Sequence, residues 1–339
     1  MTLTDNDLIG AGVGISAISC PGAYHNYQFS ANIGGDSYRD ISIRYDNFTL
    51  ANSKFGINYT GRSLEEPRMR FFGIGNESIE EDETAYRQNR TQIGFDAYSV
   101  SIQNFRFGIG ASYDDYEVGT STDEIVALEE IDFLQNTPLV DNLIGLDGSS
   151  ITSLKANFIF DHKDQEFASA RGFFAKLSLA RNSISEAGDF SDSYNSLNLD
   201  VSQYFSSPSQ KLVGLLRGGL ELKSESDIPF YALSSLGGPN SMRAYDFERF
   251  LGQHAAFASA EVRYSLFSIP ILGYPMDIEL GAFLDVGQIF GGELSLGDDL
   301  KVDPGMTMRM INKPNVGLVF SIADGDDGIY FTGGIGLPF

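Results

Sequence analysis

The sequence predicts an all-β fold: a transmembrane antiparallel β-barrel of about sixteen strands. Three observations lead there. Apolar residues alternate with small or polar ones along most of the chain, and that is the period of a strand, not of a helix. No apolar run approaches the ~18 residues that a membrane-crossing helix requires. Connections alternate between short and long, as the turns and outer loops of bacterial barrels do.

Residues 1–7 are short and polar and read as a periplasmic segment ahead of the barrel, which then occupies 8–339. An export signal is expected to have been removed before Leu8. The first expected strand is Leu8–Ile18, with Ile9, Ala11, Val13, Ile15 and Ala17 on one face and Gly10, Gly12, Gly14 and Ser16 on the other. Tyr24–Ile33 sets Tyr27, Phe29, Ala31 and Ile33 against Gln28, Ser30 and Asn32. Asp40–Phe48 and Lys54–Thr60 repeat the pattern, and Arg68–Asn76 does so more weakly. Ala85–Val100, Asn104–Glu117, Ser153–Asp161, Gly172–Arg181, Tyr194–Phe205 and Lys211–Lys223 follow. Ala255–Leu266, Asp277–Ile289, Gly305–Ile311, Asn315–Ala323 and Ile329–Phe339 complete the set.

The long connection Val118–Ser150 is acidic, and its Ser121–Phe133 portion is a candidate short amphipathic helix. The other long connection is Ser224–Gly252. If Leu8 starts on the periplasmic side, strand parity puts both outside. Asp324–Gly328 is expected to be a tight turn, because a calcium loop would need a later bidentate Glu that is missing.

Alternation by itself fits a soluble sandwich as well as a barrel. A high strand number without covering helices favours the membrane, where the apolar face meets lipid and the polar face lines the lumen. The last strand carries Phe331, Gly333, Ile335, Leu337 and Phe339 on one face. A chain ending on an aromatic in such a strand resembles the C-terminal assembly signal of outer-membrane barrels.

Composition excludes several functions. With 46 acidic against 23 basic residues, a formal charge of -23, the chain is unsuited to nucleic acid, whose phosphates need clustered Lys and Arg. The single Cys20 permits no internal disulfide. His25, His162 and His254 are dispersed, with no metal-ligand spacing and no Gly-x-Ser-x-Gly elbow. The expectation is a protein that is not an enzyme and takes no metal or cofactor.

Three segments carry a resemblance. Gly237-Gly238-Pro239-Asn240-Ser241-Met242-Arg243-Ala244-Tyr245 precedes a strand holding Ala260-Glu261-Val262-Arg263, and a later strand holds Phe283-Leu284-Asp285-Val286-Gly287. Strand parity sends Glu261, Arg263, Phe283, Asp285 and Gly287 into the lumen, opposite the lipid-facing Ile278, Leu280, Ala282, Leu284 and Val286. Together these pieces resemble the BamA/TamA-type barrels, the bacterial surface antigen family. Phe72-Gly73-Ile74-Gly75-Asn76 also looks like that family. The family hallmark is an outer loop, folded back into the lumen, that carries (Val/Ile)-Arg-Gly-(Phe/Tyr); here it reads Met242-Arg243-Ala244-Tyr245. Ala244 departs from the glycine and would strain a turn needing positive φ.

The resemblance implies that Arg243 pairs with Asp285, with Glu261 nearby. It also implies a bacterial outer-membrane protein that handles unfolded outer-membrane proteins, with lipids and accessory subunits as partners. Such a cluster can equally serve only to plug the lumen. A second expectation is a weak seam between first and last strands, from Gly10, Gly12 and Gly14 on one side and Gly333, Gly334, Gly336, Pro338 and Phe339 on the other. An opened seam would offer bare strand edges to an incoming strand. The POTRA modules usual in the family are not expected within these residues, because so few precede the first strand.

Overall fold

A computed structural model describes residues 2–6, 10–19, 25–49, 54–99, 104–121, 143–165, 168–185, 191–271, 273–292, 294–312 and 316–335. Its strands are β1 (Thr2–Asn6), β2 (Gly10–Ser19), β3 (His25–Ile33), β4 (Arg39–Thr49), β5 (Phe55–Phe71) and β6 (Thr84–Ser99). Next come β7 (Phe105–Thr120), β8 (Ser149–Asp161), β9 (Gly172–Ser185), β10 (Ser193–Ser206), β11 (Leu212–Lys223), β12 (Ser234–Leu236) and β13 (Phe250–Gly252). The last are β14 (His254–Ile271), β15 (Tyr274–Phe290), β16 (Lys301–Asn312), β17 (Val316–Gly325) and β18 (Gly328–Ile335).

All but β12 and β13 join one 16-stranded sheet, in which each strand pairs antiparallel with the next in sequence. The exceptions form a two-stranded ribbon within the connection from β11 to β14. The sheet curls into a barrel around that connection. Arg249 reaches Ser78 in the β5–β6 loop on one side and Asp327 in the β17–β18 turn on the other. Connections 207–211 and 313–315 are short, while 72–83, 121–148 and 224–253 at the opposite end are long. The long end is therefore the outer one.

Burial runs opposite to that of a soluble protein. Ile43 is 58% exposed, Ile93 62%, Ile109 66% and Leu154 62%. Glu261, Arg263, Asp285 and Asp303 are buried. Charges inside and bare aliphatics outside are stable only if the outer surface meets hydrocarbon.

The strand number matches expectation through two offsetting misreadings. Arg68–Asn76 is not a strand of its own: β5 runs through Pro67 to Phe71, with a register shift between Glu66 and Met69 that absorbs the proline. In exchange, Thr2–Asn6, expected to lie ahead of the barrel, pairs with β2 from Thr2 opposite Gly14 to Asn6 opposite Gly10. The early strands therefore run in the opposite sense to the one expected, and Gly10 lies at the outer end of β2.

Ile278 is a further departure. Expected on lipid, it is only 9% exposed, beside the β14 bulge between Ser265 and Phe267. The candidate helix Ser121–Phe133 lies outside the described residues apart from Ser121. Asp324–Gly328 does form a tight turn, with Gly328 at φ 108.

Candidate functional site: a loop locked inside the barrel

The site is assembled from β14, β15, β16 and the loop preceding β14. Alternation along β14 turns Ser259, Glu261 and Arg263 inward, and along β15 it does the same for Phe283, Asp285 and Gly287. The β14–β15 register sets Ser259 opposite Asp285 and Glu261 opposite Phe283. One row of the inner wall thus carries two carboxylates, a hydroxyl and an aromatic face.

The loop delivers Arg243 to that row. Its Nε donates to Asp285 Oδ2 at 2.7 Å and its Nη2 to Asp285 Oδ1 at 2.7 Å. Nη1 donates to Glu261 Oε2 at 2.6 Å, and Nη2 also reaches Ser259 Oγ at 3.1 Å. Ser259 Oγ donates in turn to Asp285 Oδ1 at 2.6 Å. The guanidinium lies flat on Phe283, with Cζ 3.3 Å from the ring centroid. A planar fork on a carboxylate, stacked on an aromatic face, uses the properties that distinguish Arg from Lys. Arg243 is 4% exposed and Asp285 0%, so water does not compete for these bonds.

Two glycines make room for the cluster. A methyl group at Gly287 would lie 2.6 Å from Met242 Sδ, and one at Gly305 would collide with the Phe283 ring. Met242 and Ala244 are fully buried between the β12–β13 ribbon and the wall. Ala244 is not among the positive-φ residues, so alanine is unstrained where the family motif has glycine. Its amide donates to Asp303 Oδ2 at 2.7 Å. Burial pushes the Tyr245 hydroxyl up to about 12; it stays protonated and accepts from the Asp326 amide at 3.1 Å.

Of the residues picked from sequence, Met242, Arg243, Ala244, Tyr245, Glu261, Phe283, Asp285 and Gly287 come together here. Phe72–Asn76 also turns inward: Phe72 is buried, and the Gly75 amide donates to the Leu251 carbonyl at 2.7 Å. The seam glycines are distributed differently from expectation. Gly10, Gly12 and Gly14 belong to the second strand of the sheet and are paired with β1. Gly333 and Gly334 lie in the end strand β18, opposite Phe320 and Val319. Gly336, Pro338 and Phe339 lie outside the described residues.

Sequence reasoning missed Ser259 and Asp303. Ser259 stands two residues before Glu261 on the same face, so parity alone points to it. Asp303 was lost because the strand was begun at Gly305, after Pro304. In fact Pro304 sits inside β16, with its side chain outward.

A barrel that is apolar outside and polar inside, with its outer loop held in the lumen by a buried arginine, is an outer-membrane barrel. The chain belongs to the Omp85 superfamily, whose domain model matches residues 23–335. Among solved structures it is similar to BamA from Haemophilus ducreyi lacking POTRA domains 1-3, with a TM-score of 0.64 and 13% identity over 96% of this chain and 70% of that one. CdiB from Escherichia coli gives a TM-score of 0.64 at 12% identity over 98% and 60%. CdiB from Acinetobacter baumannii gives 0.58 at 12% over 99% and 58%. The chain thus spans about three fifths of the CdiB chains. No match is found among curated protein sequences.

Proposed function

We propose that this barrel aids insertion or translocation of other outer-membrane proteins by opening its sheet between the end strands. The carrying observation is the make-up of the sheet's end: β18, its last strand, holds consecutive glycines at Gly333 and Gly334. Unpaired strand edges template an incoming strand through main-chain hydrogen bonds. Gly333 and Gly334 weaken the packing of the last strand against its partner. Family membership supports the reading. In it, unfolded outer-membrane proteins are the cargo, lipid is the surrounding solvent, and accessory subunits deliver the cargo.

A passive structural barrel is the second reading, favoured by the completeness of the Arg243 lock, which holds the loop in the lumen as a plug would. One experiment separates the two. In a Cys20→Ser background, Thr4→Cys and Gly333→Cys are joined by a thiol cross-linker whose spacer contains a reducible disulfide, and the protein is placed in liposomes with an unfolded outer-membrane protein. The insertase reading expects cargo folding that stops on cross-linking and returns on reduction. Unchanged activity in the stapled protein rules out end-strand opening. Inactivity of the unstapled protein supports the passive barrel.

A further inference from the structure

The inward loop carries a second arginine, which binds the β5–β6 loop and the β17–β18 turn. Arg249 is 2% exposed. Its Nε donates to Asp327 Oδ2 at 2.6 Å and its Nη2 to Asp327 Oδ1 at 3.2 Å. Nη1 reaches Ser78 Oγ at 2.8 Å, and Nη2 reaches the Ser78 carbonyl at 2.9 Å. The guanidinium lies over both the Phe72 and Phe250 rings, with Cζ 4.7 Å from each centroid. All three guanidinium nitrogens are thereby hydrogen-bonded, and two aromatic rings lie against the group.

Neighbouring loop residues reach the same two regions. Asp246 accepts from Arg70 Nη1 at 2.8 Å and from the Tyr330 hydroxyl. Tyr245 accepts from the Asp326 amide. Asp326, Asp327 and Tyr330 all belong to the β17–β18 turn and the start of β18, the end strand of the sheet. The loop half around Arg243, by contrast, is held by side chains of β14, β15 and β16, and by Arg217 of β11, which donates to the Asn240 carbonyl at 2.7 Å.

We propose that the loop is a strap with two separable anchors. Arg243 fixes one end to β14–β15. Arg249, assisted by Asp246, clamps the outer end of β18 to the loop and to the β5–β6 connection. Breaking the Arg249 anchor frees the outer end of the last hairpin while the Arg243 lock stays closed. Arg249 is thus a positioning residue for the sheet end. The mechanical claim goes beyond the proposed function and holds whether or not the end strands accept cargo.

Hydrogen–deuterium exchange of the full chain in lipid nanodiscs tests it without any cargo assay. Arg249→Ala is expected to speed exchange in residues 326–335 by about tenfold or more, because charge-assisted bonds at a buried site are lost. Exchange in residues 277–287 stays within about twofold of the parent. Arg243→Ala gives the reverse pattern. If Arg249→Ala does not fold, Asp327→Asn keeps the Ser78 contacts and removes only the carboxylate, and the same local pattern is expected. Unchanged exchange at 326–335, or equal acceleration in both segments, overturns the proposal.

Discussion

Arg243 grips Asp285 through two hydrogen bonds of 2.7 Å, each carboxylate oxygen meeting a different guanidinium nitrogen. The pair lies 42 residues apart in sequence, and it ties an outer loop to the outer half of a membrane-spanning strand.

Removal of one partner leaves the others buried and uncompensated. Arg243→Ala is expected to destabilise the barrel by about 3–5 kcal/mol. Arg243→Lys falls between it and the parent, because lysine keeps the charge but loses the fork and the stack. The urea midpoint in detergent micelles, read by heat-modifiable gel migration, measures both.

Gly287 tests the packing of the loop. Gly287→Ala places a methyl 2.6 Å from Met242 Sδ, and overpacking of this kind costs about 1–3 kcal/mol. Met242→Ala in the same chain removes the clash. A double-mutant cycle is expected to give a coupling of about 1 kcal/mol or more between the two sites; strict additivity would show that the loop does not rest on Gly287.

Ala244 offers a sharper contrast. A strained alanine would gain stability on replacement by glycine. With ordinary φ at this position, Ala244→Gly is instead expected to lose about 0.4–1 kcal/mol through unfolded-state entropy. The sign of the shift in urea midpoint decides.

Glu248 confers a pH dependence. Burial in the loop raises its carboxyl to about 7, with Lys223 and Arg90 opposing the shift and Glu221 adding to it. The folded form therefore holds the proton more tightly than the unfolded one. Stability from this group is full below the ordinary carboxylate range, falls as pH rises, and levels off above about 7. Glu248→Gln is expected to flatten that decline, measured as urea midpoint between about pH 5 and 8.

The wall of the site was legible because alternation fixes which side chains face inward. Glu261, Phe283, Asp285 and Gly287 followed from parity along β14 and β15, and Arg243 from the motif ahead of them. Where the period is interrupted, the reading broke down. Pro67 and Pro304 both lie within strands, the first at a register shift and the second with its ring outward, yet each was taken as a boundary. Thr2–Asn6 has only Leu3 as an apolar residue, so its strand state depends on β2 as a partner and not on its own pattern. Arg249 and Asp246 lie in irregular backbone, where no period relates sequence to direction. Their roles appear only when the β17–β18 turn is brought alongside.

The Arg243 cluster also proofreads alignment. Side chains in a strand point alternately to the two faces, so sliding β15 by a single residue would present Leu284 to the guanidinium and bury Asp285 in hydrocarbon. The seated loop is therefore compatible with one alignment of β14, β15 and β16, and a barrel that holds it has those strands in that register.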